Sequence, residues 1–251
     1  MKIAMINGQN HKGSTYHIGK MLADKLGGEV TEFFLPRDFG HFCVGCNQCI
    51  VKDEKLCPYY KELKPLTEAI DSADVIILTS PVYVYHCTGS MKAWLDHYGY
   101  RWMLHRPNQD MFSKQGVCIS TAAGAGMKWT NKDMADSMFF WGMGKIYRYG
   151  TAAHALNYKS ISPKKMEEIE KATDIALSDT KVEIKAGERK TITATPDSSR
   201  DIVLWSTADD TVATVYDGVI HAKAGGVTTV YAKSQSGSVE KAIQVIVQST
   251  G

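Results

Sequence analysis

The sequence predicts an α/β protein: a doubly wound, parallel five-stranded sheet, with a small all-β sandwich behind it. Three observations carry this. Short apolar runs alternate with helix-period segments over residues 1–177, the pattern of a parallel sheet covered on both faces. The clearest run, Asp74-Val-Ile-Ile-Leu-Thr79, is almost wholly apolar, as a strand buried on both sides must be. Near Ser178 the helical period gives way to a period of two, punctuated by turn residues, which marks short strands.

The elements follow in order. Lys2–Ile6 is a buried strand that breaks at Asn7-Gly8. Ser14-Thr15 opens a helix with Ile18, Met21, Leu22 and Leu26 at helical spacing, and Gly27-Gly28 ends it. Val30 to Leu35 is the second strand, and Pro36 to Pro58 is a long connection carrying cysteines. Tyr59 to Ser72 reads as helix, with Pro65 the expected point of a split or kink. After the third strand, Ser80-Pro81 leads into a loop from Val82 to Thr88, and a helix carrying Trp94, Leu95 and Tyr98 begins near Met91. Gln115 to Thr121 is the fourth strand, followed by the small-residue loop Ala122-Ala-Gly-Ala-Gly126. Thr130 is expected to cap a helix bearing Met134, Met138 and Trp141. Lys145 to Tyr149 is the fifth strand, running on toward His154. Ser162-Pro163, an N-cap and first-turn pair, opens a last helix with Met166, Ile169, Ile175 and Leu177 as apolar positions.

Five such units suit the strand order 2-1-3-4-5, in which ligands sit at the carboxyl ends of the strands, beside the first. Three loops leave that rim: 8–15, 80–90 and 121–130. In the first, a strand, a polar loop and a helix start aim free N–H groups and a helix dipole at one point. That suits an anion, above all a phosphate, with Ser14 and Thr15 adding hydroxyls and His11 and Lys12 charge. The plainer reading is an ordinary strand-to-helix turn with Ser14 as N-cap.

Behind residue 178, strands are expected at Val182–Ile184, Thr191–Thr195, Val203–Trp205, Thr211–Val215, Thr228–Ala232 and Ala242–Val247. Turns fall at Ala186-Gly187, Pro196-Asp197, Asp217-Gly218, Gly225-Gly226 and Ser236-Gly237. This second domain, 178–251, has no cysteine and no cluster of titratable groups. Trp205 and the aliphatics form its core, and no chemistry is assigned to it.

The 251 residues carry a net charge of +2, which gives no pull toward nucleic acid or an acidic membrane surface. No apolar run approaches the roughly 20 residues of a membrane span. The N-terminus enters a strand directly, with no export signal, so a cytoplasmic protein is expected. Four of the 6 cysteines lie between 43 and 57. Cys43, Cys46, Cys49 and Cys57 give the spacing C-x2-C-x2-C-x7-C, which lets successive sulfurs turn toward one centre. Such a set suits a four-iron cluster. Zinc, which usually takes two separated C-x2-C arms, and a set of loop thiols without metal remain open. Cys118 lies in a buried strand as a small hydrophobe, and Cys87 has no assigned role.

These residues resemble a known family. Residues 1–177 are similar to the NAD(P)H-dependent FMN reductases of flavodoxin-like fold, and within them to the iron–sulfur flavoproteins. Gly8 to Thr15 is similar to the family's Gly-Ser-Pro-Arg-Lys-…-Ser-Thr phosphate loop. Ser80-Pro81-Val82-Tyr83, with Thr88-Gly-Ser-Met-Lys92 and Leu95-Asp96, resembles the second flavin loop and its helix. The cysteine run is similar to the one that binds a [4Fe-4S] cluster in the iron–sulfur branch. By this resemblance, Gln9, Asn10, His11, Lys12, Gly13, Ser14 and Thr15 would surround the FMN phosphate. Pro81, Val82, Tyr83 and Val84 would wrap the isoalloxazine edge, and Thr121, Ala122, Ala123, Gly124 and Gly126 would line its other side. Cys43, Cys46, Cys49 and Cys57 would hold the cluster. Two departures stand out. Gln9, Asn10 and His11 replace the usual Ser, Pro and Arg, and Pro58-Tyr59-Tyr60 follows Cys57 where many relatives carry paired aspartates. Residues 181–247 resemble a bacterial immunoglobulin-like domain of group 2, through Lys181–Glu188, Trp205-Ser206, Val212–Val215 and Gly218–Gly225.

The resemblance implies an FMN-dependent oxidoreductase that moves reducing equivalents from NAD(P)H, or a ferredoxin-type donor, to a small acceptor or redox protein. It also implies a homo-oligomer, dimer or tetramer. Hydride reaches the flavin directly, so no catalytic side chain is assigned, and His86, His97 and His105 carry no role. Tyr83 and Tyr85 shape the flavin pocket or simply pack. No dinucleotide fingerprint separates NADH from NADPH. The alternative is a non-enzymatic module, with the sheet domain as scaffold and the sandwich mediating interaction.

Overall fold

The computed structural model describes residues 1–103, 108–155, 157–171, 175–177, 181–196, 203–234 and 240–249. It divides into two compact units, Met1–Ala23 with Gly28–Ser162, and Asp24–Gly27 with Pro163–Gly251.

The first unit is built on five strands: β1 (Lys2–Asn7), β2 (Glu29–Phe34), β3 (Val75–Pro81), β4 (Gln115–Ala122) and β5 (Lys145–Ala152). They pair in the order β2-β1-β3-β4-β5, every pair parallel. This is the flavodoxin-like order, with the switch point beside β1. Strands β1, β3 and β4 are buried nearly end to end because helices cover both faces. Those helices are α1 (Ser14–Leu26), the short α2 (Gln48–Val51), α3 (Tyr60–Ser72), α4 (Gly89–Asp96), the short α5 (Gly99–Met103) and α6 (Met127–Phe140). One core gathers Ile6, Ile76, Leu78 and Cys118 from the sheet with Leu66, Ile70, Met91, Trp94 and Met138 from helices. Trp94 and Trp141 meet edge to face at 5.7 Å, a geometry that favours aromatic pairs.

Three expectations need correction. Pro65 does not split its helix: α3 runs unbroken through it, although an interior proline gives up one backbone N–H bond. Thr130 is not a cap: it lies buried inside α6, whose N-cap is Gly126 at φ 101°. Only glycine takes that angle without strain, so the helix starts one turn early. The last helix, α7 (Pro163–Lys171), stops short. Ile175 and Leu177 lie instead in β6 (Ile175–Leu177), antiparallel to β9 (Ala194–Pro196). Their spacing fits a helix, but residue 176 alternates with them equally well in a strand.

In the second unit, β7 (Lys181–Lys185), β10 (Val203–Thr207), β13 (Gly226–Ser234) and β14 (Glu240–Gln248) form a sheet in the order β10-β13-β14-β7. A second sheet has the order β11-β12-β8, from β8 (Arg189–Thr191), β11 (Ala213–Tyr216) and β12 (Val219–Ala222). The strand β12 is absent from the sequence reading, and the stretch 191–195 is two strands, not one. Trp205, Val182, Ile220, Val230 and Ile243 share a core. The break near Ser178, the turn at Ser236-Gly237, Asp197 of its turn and His105 lie outside the described residues.

Candidate functional site

The three rim loops meet. Gly8 donates its N–H to Thr79 O at 2.7 Å, and Thr88 Oγ1 donates to Gly8 O at 2.5 Å, which fastens the first loop to the second. Val82 donates its N–H to Thr121 O at 2.9 Å, tying the second to the third. Thr15 Oγ1 and Thr121 Oγ1 are 2.5 Å apart and buried, closing the ring between the third and the first. Below them, Thr79 Oγ1 donates to Asn7 Oδ1 at 2.8 Å, and Asn7 Nδ2 to Phe33 O at 3.0 Å. The rim is thus hydrogen-bonded through polar side chains that the sheet buries, where each bond lost leaves an unsatisfied group.

The residues expected around a phosphate all fall at one place. Asn10, His11 and Lys12 are exposed, Gln9, Gly13 and Ser14 half-buried, Thr15 buried. Ser14 starts α1, whose first amides have no partner within the helix. His11 is paired with Gln9 Nε2 at 2.5 Å, so its ring is committed within the loop. Lys12 Nζ stands 5.1 Å over the Tyr16 ring. Free helix amides, a serine hydroxyl and an exposed lysine make a donor set that fits an FMN phosphate.

The second loop is strained. Tyr83 and His86 exchange both backbone hydrogen bonds at 3.0 Å across a two-residue turn. Its central residues are Val84 at φ 50° and Tyr85 at φ 67°. Asn-Gly is the usual choice for such a turn; a side chain there costs about 1–2 kcal/mol per residue. Val84 is 91% exposed, so packing does not offset the strain. Tyr83 and Tyr85 are exposed beside it. In the third loop Ala123 and Gly124 are exposed, and a Cβ on Gly126 would fall 2.5 Å from Val82 Cγ1 and 3.2 Å from Tyr85 Cα. Glycine is what lets the second and third loops close together.

Three contributors had no role assigned from the sequence, although Ser80 and Thr88 lie in the stretch that resembles the second flavin loop. Thr88 both fastens Gly8 and caps α4, accepting from Met91 N at 3.2 Å. Ser80 Oγ accepts from Thr88 N at 3.0 Å. Asp133 on α6 accepts Cys87 N–H at 3.1 Å. Thr88 was legible as a residue before Gly-Ser at a helix start; Asp133 left no local signal.

The cysteines occupy a separate stretch. Cys43 and Cys46 are exposed, Cys49 and Cys57 half-buried. Gly45 at φ 66° and Asn47 at φ 57° curl the chain between them. All four line one cavity of about 200 Å³ with Ile50, Tyr59 and His97. Burial first, and then the neighbouring Cys57, Cys43 and Cys46, push the Cys49 thiol above its ordinary range. His97 Nδ1 stands 3.6 Å from Cys57 Sγ, while its Nε2 faces His41 O at 3.2 Å. Among the described residues, no three His, Cys, Asp or Glu side chains stand in an arrangement that could hold a metal ion. Cys87 is elsewhere, buried, its thiol pushed up to about 12 by burial and then by Asp133.

Sheet order, helices on both faces and ligand-sized loops at the carboxyl rim define a flavodoxin-like α/β protein. Residues 1–156 match the model of the NADPH-dependent FMN reductase family, and the chain belongs to that family. An iron-sulfur flavoprotein of Archaeoglobus fulgidus is 32% identical over 106 residues, 41% of this chain and 44% of that protein. The chain therefore spans less than half the length of that relative. An iron-sulfur flavoprotein of Methanosarcina thermophila is 28% identical over 149 residues, 57% of this chain and 75% of the relative. Among solved structures, the NAD(P)H:quinone oxidoreductase of Methanothermobacter marburgensis superposes with TM-score 0.51 at 16% identity, covering 68% of this chain and 96% of that one. An FMN-dependent NADH-azoreductase of Bacillus anthracis gives 0.50 at 11% identity, covering 68% and 97%. These two show a shared fold. No helix among the described residues is long and apolar enough to cross a membrane.

Proposed function

We propose that this chain is an FMN-dependent oxidoreductase that takes reducing equivalents from NAD(P)H and passes them to a small acceptor or a redox protein. The observation that carries the reading is the closed ring of hydrogen bonds joining Gly8, Thr15, Thr88 and Thr121 across three loops at the switch point of the sheet. Family membership over residues 1–156 supplies the cofactor class. When bound, FMN supplies the two-electron chemistry. The chain's part is binding and orientation. Gln9 to Thr15 offer helix amides and Ser14 Oγ to the phosphate. Pro81, Val82, Tyr83 and Val84 form one wall for the ring system, and Thr121 to Gly126 the other. The test is direct: titrate purified protein with FMN under anaerobic conditions, then add NADH or NADPH and follow flavin absorbance. A colourless protein that takes up no FMN overturns the reading and leaves the binding-module alternative.

Cys43, Cys46, Cys49 and Cys57 are the proposed ligands of a [4Fe-4S] cluster. One shared cavity and the likeness to the iron-sulfur flavoproteins of Archaeoglobus fulgidus and Methanosarcina thermophila support this. Iron and acid-labile sulfide in anaerobically prepared protein are the expected result; neither, with all four thiols alkylated in the folded state, overturns it. Phe42, Val44, Val51 and Leu56 leave apolar side chains exposed around these cysteines, which supports contact with a redox protein or a second copy. The second unit is proposed to be an immunoglobulin-like module of group 2, on the strength of its two sheets around Trp205.

A further inference from the structure

The turn at Val84-Tyr85 should not hold by itself. Two side chains sit at left-handed angles, one of them β-branched and 91% exposed. Such strain persists only where the surroundings over-determine the conformation. On one side the third loop braces it, through Val82 N–H to Thr121 O and the close approach of Gly126. On the other side one carboxylate does the work. Asp133 Oδ2 accepts the Cys87 backbone N–H at 3.1 Å and faces His86 Nδ1 at the same distance. His86 is the last residue of the turn and Cys87 the next, so the carboxylate grips the returning limb where it leaves the strained pair. Asp133 itself is fixed on the second turn of α6, the helix that Gly126 begins. The incoming end of the turn is therefore held by β4 and the close approach of Gly126, and the returning end by α6.

We propose that Asp133 is a positioning residue for the flavin site, a latch that holds the Tyr83–His86 turn against the ring-binding face through Cys87 and His86. The inference rests on the FMN reading above. It adds a residue that no flavin contact of its own would identify.

The experiment measures FMN Kd, the visible circular dichroism of bound flavin, and Tm for the full chain and its variants. Asp133→Ala removes a charged acceptor from a backbone donor, and about a tenfold weaker FMN Kd is expected, with a changed flavin dichroism. Asp133→Asn keeps an acceptor oxygen for Cys87 N–H and should remain within about threefold of the parent. The telling comparison is Asp133→Ala made in a Val84→Asn background and read against Val84→Asn alone, which cancels any effect of residue 84 on the ring itself. Asn tolerates the left-handed angle, so the turn needs its latch less, and Asp133→Ala costs less affinity there than in the parent. A merely structural role for Asp133 lowers Tm and leaves Kd and flavin dichroism unmoved; that result overturns the proposal, as does an Asp133→Ala loss equally large in both backgrounds. Should Asp133→Ala fail to fold in the parent, Asp133→Ser replaces it in both backgrounds. Parent protein that binds no FMN removes the functional reading itself, whereas parent that binds and an Asp133→Ala that binds equally well removes only the latch.

Discussion

Two glycines two residues apart in the third rim loop make a sharp test of how that rim is built. Replacing Gly126 by alanine places a methyl 2.5 Å from Val82 Cγ1 and 3.2 Å from the Tyr85 Cα. The second of these is backbone and cannot rotate away. The substitution also puts a side chain at φ 101°, which costs about 1–2 kcal/mol by analogy with the left-handed region. Overpacking adds about 1–3 kcal/mol, so a loss near 3 kcal/mol is expected. Gly124→Ala is the control: nothing lies within 4 Å of its Cβ, and its effect should stay within about 0.5 kcal/mol. Urea unfolding of FMN-free protein, followed at 222 nm, isolates the helical first unit, because the second holds mostly strand. Equal midpoints for the two variants, or a larger loss for Gly124→Ala, would refute the account of the rim as a close approach of two loops.

Four other outcomes are expected. Thr15→Val leaves Thr121 Oγ1 buried and unpaired and should destabilise by about 1–3 kcal/mol in the same urea assay; Thr15→Ser should largely restore it. Ser14→Asp sets a carboxylate where the phosphate is proposed and should weaken FMN binding at least about tenfold in a fluorescence titration, whereas unchanged affinity would place the phosphate elsewhere. In protein prepared without iron, iodoacetamide at pH 8 should label the exposed Cys43 and Cys46 in the folded state and spare Cys87 and Cys118, both buried and with raised thiol pKa; mass spectrometry of peptides reads the pattern. Asp38 is held below the ordinary carboxylate range, first by the Arg37 side chain and also by Phe34 N–H. Its stabilisation is therefore present above the unfolded-state value and lost as pH falls through the folded one. Asp38→Asn should be less stable than the parent near pH 7, and the gap should close below about pH 4.

What was legible in the sequence follows from range. Strands β1, β3 and β4 announce themselves because a strand buried on both faces has no choice but to be apolar. The rim loops are legible as places, since the strand order puts their starts together. What joins them is not: Thr15 meets Thr121 across 106 positions, and nothing near either residue says so. Asp133 is equally silent, a helix aspartate that reads as a solvated face until Cys87 is seen against it. Thr130 misled because threonine is a good cap, but Gly126 four residues earlier could turn the chain first. Ile175 and Leu177 misled because three apolar residues cannot tell helix from strand without knowing that β9 waits beside them.

Each unit holds an interior strand that is made out of step with its neighbours. In the first, β1 is made before either neighbour yet lies between β2 and β3; it must wait as an exposed apolar ribbon until Val75–Pro81 arrives. In the second, β14 lies between β13 and β7, with β7 joined to it in parallel over Lys181–Lys185. On the ribosome, that sheet therefore stays open at its middle until Glu240–Gln248 clears the exit tunnel. A nascent chain stalled before Glu240 would carry a finished reductase-type sheet tethered to an unzipped, protease-sensitive partner.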